Sequence, residues 1–276
     1  MQVERAHVPS LDVFKKSYIK TNTPVVLTGV TSKWPALARW KDVDYLSGLI
    51  GGRKLPAKYS QSGRFTNDVE LREIRFDRFI DTLRQVRPGL ERYYLSDVQI
   101  ARLLPELLID IGEPSYFRPF DSEWRGHFRG LFFGRDTRSP IHHHINNMAL
   151  TAQIVGEKHV KLYPPAQSSL MYSPIFSAAS PVEPSNLDVN KYPRFAKSTA
   201  FECTLVPGDL LFIPVHWWHY VESPGISLAV LFTDNAPLTS WTFPRPGLES
   251  IPMTLWSIMR RVRNQGKYRT LASPDR

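Results

Sequence analysis

The sequence of 276 residues holds one cysteine, Cys203, so no disulfide can close within the chain and the fold rests on packing. No apolar run reaches the roughly 18 residues that a membrane-crossing helix needs, and the first thirty residues lack the basic-then-apolar pattern of a secretory leader. These absences predict a cytoplasmic chain with no membrane partner. Internal repeats and low-complexity tracts are also missing, which excludes solenoid and fibrous designs. Acidic residues are short, 26 against 35 Lys and Arg, leaving a net charge of +9 and raising the question of an anionic partner. Much of the excess lies at the end, where Arg260, Arg261, Arg263, Lys267, Arg269 and Arg276 face only Asp275. With no basic groove interleaved by aromatics, this stretch reads as a solvated helix face and tail.

What is present is an apolar and aromatic content ample for one large core. Ser10 is placed to cap a helix carrying Leu11, Phe14 and Tyr18, and Val43, Leu46 and Ile50 predict a second, stopped by Gly51-Gly52. Phe76, Phe79, Ile80, Leu83 and Val86 predict a third, ended by Pro88-Gly89. Pro24 to Val30 reads as a strand. Beyond residue 90 the period changes to that of strands: Arg92 to Leu95, Gly130 to Gly134, Met148 to Val155, Thr199 to Val206, Leu210 to Pro214 and Ile226 to Phe232. Short strands punctuated by Pro, Gly and Asp predict a mainly β fold, a double-sheet jelly roll with flanking N-terminal helices and a C-terminal helix. The expectation is one domain over 1–276, with a mixed flank at 1–90, a jelly-roll core at 91–235 and the last helix at 250–266. That helix, with Leu255, Trp256, Met259 and Val262, could bury its stripe against its own domain or a second copy.

The chemistry concentrates in Ser139-Pro140-Ile141-His142-His143-His144 and in the distant segment from Pro207 to Tyr220. If Ile141 to Ile145 is extended, His142 and His144 share a face and His143 points away. His219, after the apolar run Leu210 to Pro214, can bring a third imidazole, and three converging imidazoles describe a metal site. Solvated histidines in a loop are the bland alternative. Lys158, alternating with Val160 and Leu162, puts a cation on an otherwise apolar face, which makes sense if an anion sits there. The connection from Ser173 to Ser198 is too long for a turn and reads as a wall or lid of the site, or else as an inert crossing.

In order and spacing, Ser139-Pro140-Ile141-His142, Gly156 to Pro165 and Pro214 to His219, with Pro24 to Val30 and Trp34-Pro35-Ala36, resemble the cupin-like JmjC family of Fe(II)- and 2-oxoglutarate-dependent oxygenases. The resemblance covers most of the chain. It implies a double-stranded β-helix, a metal held by His142, His144 and His219, and 2-oxoglutarate anchored by Lys158 with help from Tyr94 and Ser139, with Asn147 lining the pocket. It also implies a homodimer through the C-terminal helix and a substrate that is a small molecule, a peptide or a tRNA. The sequence departs from the family at His144, which stands where the family carries Asp or Glu. One residue more than usual separates His142 from Gly156, and Leu231 replaces an Asn of the hydroxylases. Another divalent metal, a three-His dioxygenase without 2-oxoglutarate, and an inactive metal-binding module are the alternatives this opens. Trp217, Trp218 and Tyr172 are candidates to shape the entrance, with core packing the simpler role for Trp218.

Overall fold

The computed structural model describes residues 1–61, 65, 69–85, 92–117, 128–256 and 259. Val86, Pro88-Gly89, Val262 and the basic residues from Arg260 onward lie outside the described residues. The first helix, α1 (Leu11–Phe14), follows a short strand β1 (Glu4–His7), and the Ser10 side chain caps it by accepting from the Val13 amide at 3.3 Å. Strand β2 (Val25–Thr28), helices α2 (Ala36–Arg39) and α3 (Val43–Ile50), strands β3 (Lys54–Ser60) and β4 (Leu71–Arg75), and helix α4 (Phe76–Arg84) complete the flank. The apolar stripes of α3 and α4 are buried, as their spacing requires.

The remaining strands are β5 (Arg92–Gln99), followed by the short helix α5 (Ile100–Leu103), then β6 (Phe128–Arg138), β7 (Asn147–Val155), β8 (Lys158–Tyr163), β9 (Phe201–Leu205), β10 (Leu210–Ile213) and β11 (Trp218–Asn235). Eleven strands form one sheet in the order β1-β2-β10-β7-β11-β6-β5-β3-β4, with β8 pairing β11 and β9 outside that path. This mainly β sheet is the jelly roll, folded over along β11. Residues 218–222 of β11 pair with β8, and 228–235 pair with β7. The sequence breaks the strand between these halves at Pro224-Gly225, where the register shifts and Gly225 takes φ 64°. Gly156, at φ 68°, turns β7 into β8 against that break. A Cβ there would meet the Ile226 carbonyl oxygen at 2.0 Å, so only glycine fits.

Side-chain alternation sorts the core into layers. Met148, Leu150, Ala152 and Ile154 of β7 face the flanking helices and join Phe14, Trp40, Phe79 and Phe133 in the largest cluster. Ala149 faces the other way, into a second cluster with Val26, Val160, Leu162, Leu205, Leu211 and Ile213, which lies between the two halves of the roll. A β7 bulge lies where Leu228 pairs Val155 and Ala229 pairs Gln153, leaving Ile154 without an opposite residue in that ladder. The flank is tied to the roll by Asp110, fully buried, whose carboxylate accepts from Trp40 Nε1 at 2.9 Å, Tyr45 Oη at 2.7 Å and Arg39 Nη1 at 2.7 Å. No helix among the described residues is long and apolar enough to cross a membrane.

The last helix runs from 247 to 256 in the described part, and Leu255, Trp256 and Met259 are exposed at 56%, 58% and 62%. Among the described residues, Leu255, Trp256 and Met259 are therefore not buried against their own domain.

Candidate metal centre

His142 and His219 face each other across an antiparallel bridge, with backbone hydrogen bonds of 3.1 and 2.8 Å in the two directions. Their rings lie 4.1 Å apart, and His144 brings a third ring 4.8 Å from His219 and 6.1 Å from His142. The candidate ligand nitrogens of the three lie within 4.8 Å of one another. Backbone carbonyls set the tautomers. His142 Nδ1 donates to the Pro140 carbonyl at 2.9 Å and His219 Nδ1 to the Trp217 carbonyl at 3.0 Å, which leaves each Nε2 lone pair available. His144 Nδ1 is buried without a hydrogen-bond partner. Such an orphan costs free energy unless something satisfies it.

Burial pulls all three imidazoles below their ordinary pKa, His144 to about 3 and His219 well below 6.5, with each neighbouring ring adding repulsion for the latter two. They are neutral near pH 7, the form that binds metal. Neutral imidazoles with two oriented Nε2 atoms and an orphaned buried nitrogen fit a divalent transition-metal ion.

Lys158 lies on the same inner face, at the start of β8 and in step with Val160 and Leu162. It is 4% exposed, its Nζ donates to Ser223 Oγ at 2.8 Å, and burial alone pulls its pKa down to about 8. No carboxylate pairs with it among the described residues. Ser139 Oγ accepts from the Val221 amide at 3.1 Å, so this hydroxyl helps hold the histidine strand to β11. Tyr94 is buried, and its hydroxyl, bonded to Thr137, is pushed above its ordinary pKa by burial. Asn147 opens β7 opposite Asn235 and shares the inward face of Ala149. Leu231 also packs into that inner cluster.

Trp218 is buried in a third cluster with Ile141, Tyr163 and Tyr220, the core-packing role expected of it, and Tyr172, partly buried, packs against that cluster. Alternation explains it: in β11 His219 points in, and Trp218 and Tyr220 therefore point out. Trp217 packs in the inner cluster and donates from Nε1 to the Asn22 carbonyl at 2.7 Å. The connection from Ser173 to Ser198 buttresses the histidine strand from behind, with Ala179 bridging His142 and the Ala178 carbonyl accepting from the His143 amide at 2.9 Å.

Two more histidines, His143 and His216, stand behind and beside the centre. His143 points away from the triad, 4.4 Å from the Trp218 ring and 5.8 Å from His216. His216, fully buried at φ 67°, donates from Nε2 to the Ile145 carbonyl at 3.2 Å and accepts from the Thr242 amide at 3.2 Å. Burial lowers both to about 4. The Ser223 hydroxyl that meets Lys158 gave no signal beyond its position before Pro224.

Comparison with known proteins shows the family. A family model described as a Cupin-like domain matches residues 10–234. The chain is 34% identical over 236 residues to lysine-specific demethylase 8 of Xenopus tropicalis, covering 83% of this chain and 52% of that protein. It is 30% identical to lysine-specific demethylase JMJ30 of Arabidopsis thaliana, covering 84% and 54%, and 31% identical to tRNA wybutosine-synthesizing protein 5 of Gallus gallus, covering 82% and 76%. The chain thus spans about half the length of the two demethylases. Matched over residues 10–234 by that family model and at 30% identity or more by these relatives, the chain belongs to the cupin-like JmjC family.

Proposed function

We propose that this chain is a metal-dependent oxygenase that hydroxylates an unactivated C–H bond, with 2-oxoglutarate as co-substrate and a metal, Fe(II) by family resemblance, held by His142, His144 and His219. The observation that carries the reading is Lys158. An ammonium buried on an apolar inner face, with a hydroxyl for its partner and no carboxylate among the described residues, is poorly compensated, and an anion would relieve it. Leu162, four residues along β8, pairs with His219. Four strand residues span about 13 Å, a distance that a lysine stem and a five-carbon diacid can bridge together.

A bound Fe(II) would supply O2 activation, with the 2-oxo acid as the source of electrons. The chain's own residues have separable tasks. Lys158 binds the distal carboxylate, and Tyr94 and Ser139 offer hydroxyls beside it. Asn147 walls the pocket, while the carbonyls of Pro140 and Trp217 orient His142 and His219. With three neutral imidazoles, a divalent metal and a dianion sum to zero charge, where a carboxylate in place of His144 would give −1. The metal should be correspondingly electron-poor.

Anaerobic titration of the Fe(II)-loaded protein with 2-oxoglutarate tests this through the visible charge-transfer band of a chelated 2-oxo acid. The band should saturate in the wild type, with Lys158→Met weakening binding at least about 30-fold. Affinity should also fall as pH rises through about 8, because the free Lys158 loses its proton there and the dianion needs it charged. A limiting slope of about tenfold per pH unit is expected. Iron bound without a band would remove 2-oxoglutarate and bring forward a three-His dioxygenase that binds its substrate directly. An unchanged affinity in Lys158→Met would remove the anchor.

A further inference from the structure

His144 differs from its two partners in how its ring is held. The Nδ1 atoms of His142 and His219 each bond a backbone carbonyl, of Pro140 and of Trp217. A bond of that kind from the second ring nitrogen is what ordinarily orients a ligand imidazole. His144 Nδ1 is buried with no such partner among the described residues. No regular strand holds His144 either, since β7 begins only at Asn147 and the bridges of this stretch to Ala179 and His219 are both made at His142. The direction of its ring is left to the backbone on either side.

That backbone is gripped by His216, from the turn between β10 and β11. The His216 amide donates to the His144 carbonyl at 3.2 Å, and its ring Nε2 donates to the next carbonyl, that of Ile145, at 3.2 Å. The opposite nitrogen, Nδ1, accepts from the Thr242 amide at 3.2 Å, which fixes the tautomer: the proton sits on Nε2, facing Ile145. A rigid ring with one acceptor and one donor thus joins an amide to a carbonyl. His143 adds a bond from its Nδ1 to the His144 carbonyl at 3.1 Å. Thr242 belongs to the segment that leaves β11, and that segment is itself anchored, by the Ala236 amide on the Asn146 carbonyl at 2.9 Å and by Ser240 Oγ on the Ile19 carbonyl at 3.0 Å. His216 does this at φ 67°, a left-handed conformation that costs a side-chain-bearing residue free energy. Asn or Gly would serve the turn better, so the imidazole is accounted for by what its two nitrogens hold.

We propose that His216 is a positioning residue of the metal centre, holding His144 toward His142 and His219 by its bond to the Ile145 carbonyl. The inference rests on the reading of the three histidines as metal ligands and adds a fourth that touches no metal. The ligand by which this chain departs from its family is the one that needs such a hold, because it lacks the ring bond that the other two have.

The test uses Co(II) as the probe on the full chain, reading its ligand-field spectrum and its affinity in competition with a chelator, beside melting curves of the metal-free proteins. His216→Asn suits the left-handed turn and keeps an acceptor for Thr242 in Oδ1, but it is too short to reach Ile145. His216→Gln reaches Ile145 with an amide donor, at the cost of the strained φ and an unpaired Thr242 amide. His216→Asn should bind Co(II) about tenfold or more weakly, with altered ligand-field bands. Its metal-free melting temperature should stay within about 3 °C of the wild type. His216→Gln should melt lower yet restore the wild-type spectrum, with affinity within about threefold. Affinity unchanged in His216→Asn, or lost equally in both variants, would overturn the positioning role. So would affinity that follows the melting temperature across the three proteins, as a merely structural residue would make it do. His144→Ala separates the two failures. If Co(II) binds the wild type no more tightly than His144→Ala, the three-histidine reading falls first. If it binds the wild type more tightly and His216→Asn changes nothing, the role of His216 alone is wrong.

Discussion

Lowering the pH from 7 to 5 should unfold this protein cooperatively. Five histidines, His142, His143, His144, His216 and His219, have pKa values depressed mainly by burial. A group whose folded pKa lies below its unfolded value binds its proton in the unfolded chain first, so stability falls as pH drops below about 6.5. The loss continues down to the folded values, about 4 for His143 and His216 and about 3 for His144. Each group held well below pH 5 contributes about 1.4 kcal/mol per pH unit within its window, and four such groups, His143, His144, His216 and His219, together approach about 6 kcal/mol per unit. Ordinary domain stabilities of roughly 5–15 kcal/mol are exhausted within one or two units on that slope. The carboxylates held down by arginines, such as Glu70 beside Arg72 and Asp77 beside Arg75, come into play only at more acidic pH. Urea unfolding of the metal-free protein at successive pH values, with proton uptake from calorimetry in buffers of different ionisation enthalpy, measures both quantities. Uptake near four protons is expected. Stability that stays level between pH 7 and 5.5 would show that the histidines are hydrated in solution.

Why so much of the centre was legible, and parts of it were not, follows from the range of the interactions involved. The alternation of His142 and His144, the apolar setting of Lys158 and the strand pattern are local, and a reader of the chain has them in hand. The place of Trp218 depends on which face of β11 looks inward, and that is settled by pairing with β8 and by the long connection that packs behind it. His143 and His216 looked like spare polar residues until the fold buried them against each other, 5.8 Å apart. The C-terminal stripe was recognisable as apolar, but periodicity cannot say whether its partner belongs to the same chain.

His144→Asp should separate what the third imidazole does for folding from what it does for the metal. In the wild type the side chain is neutral, with burial holding its pKa at about 3, and its unpartnered Nδ1 is a modest penalty. A carboxylate there would be enclosed by rings that give it no cation, since His142 and His219 are also held neutral by burial. Burying an unpaired charge costs several kcal/mol, so the metal-free variant should melt lower by about 5–10 °C or more, or take up a proton to escape the charge. A divalent ion reverses the sign of that effect. It neutralises the carboxylate directly, and the stabilisation gained on adding Zn(II), or Fe(II) without oxygen, should be larger in the variant than in the wild type. His144→Ala offers no ligand and should lose metal affinity by more than the roughly 100-fold typical of disturbing an outer partner. Melting curves with and without metal on the three proteins decide the matter. If His144→Asp melts like the wild type without metal, the site is wetter than its burial implies. If metal stabilises all three equally, His144 is not a ligand and the centre reduces to His142 and His219.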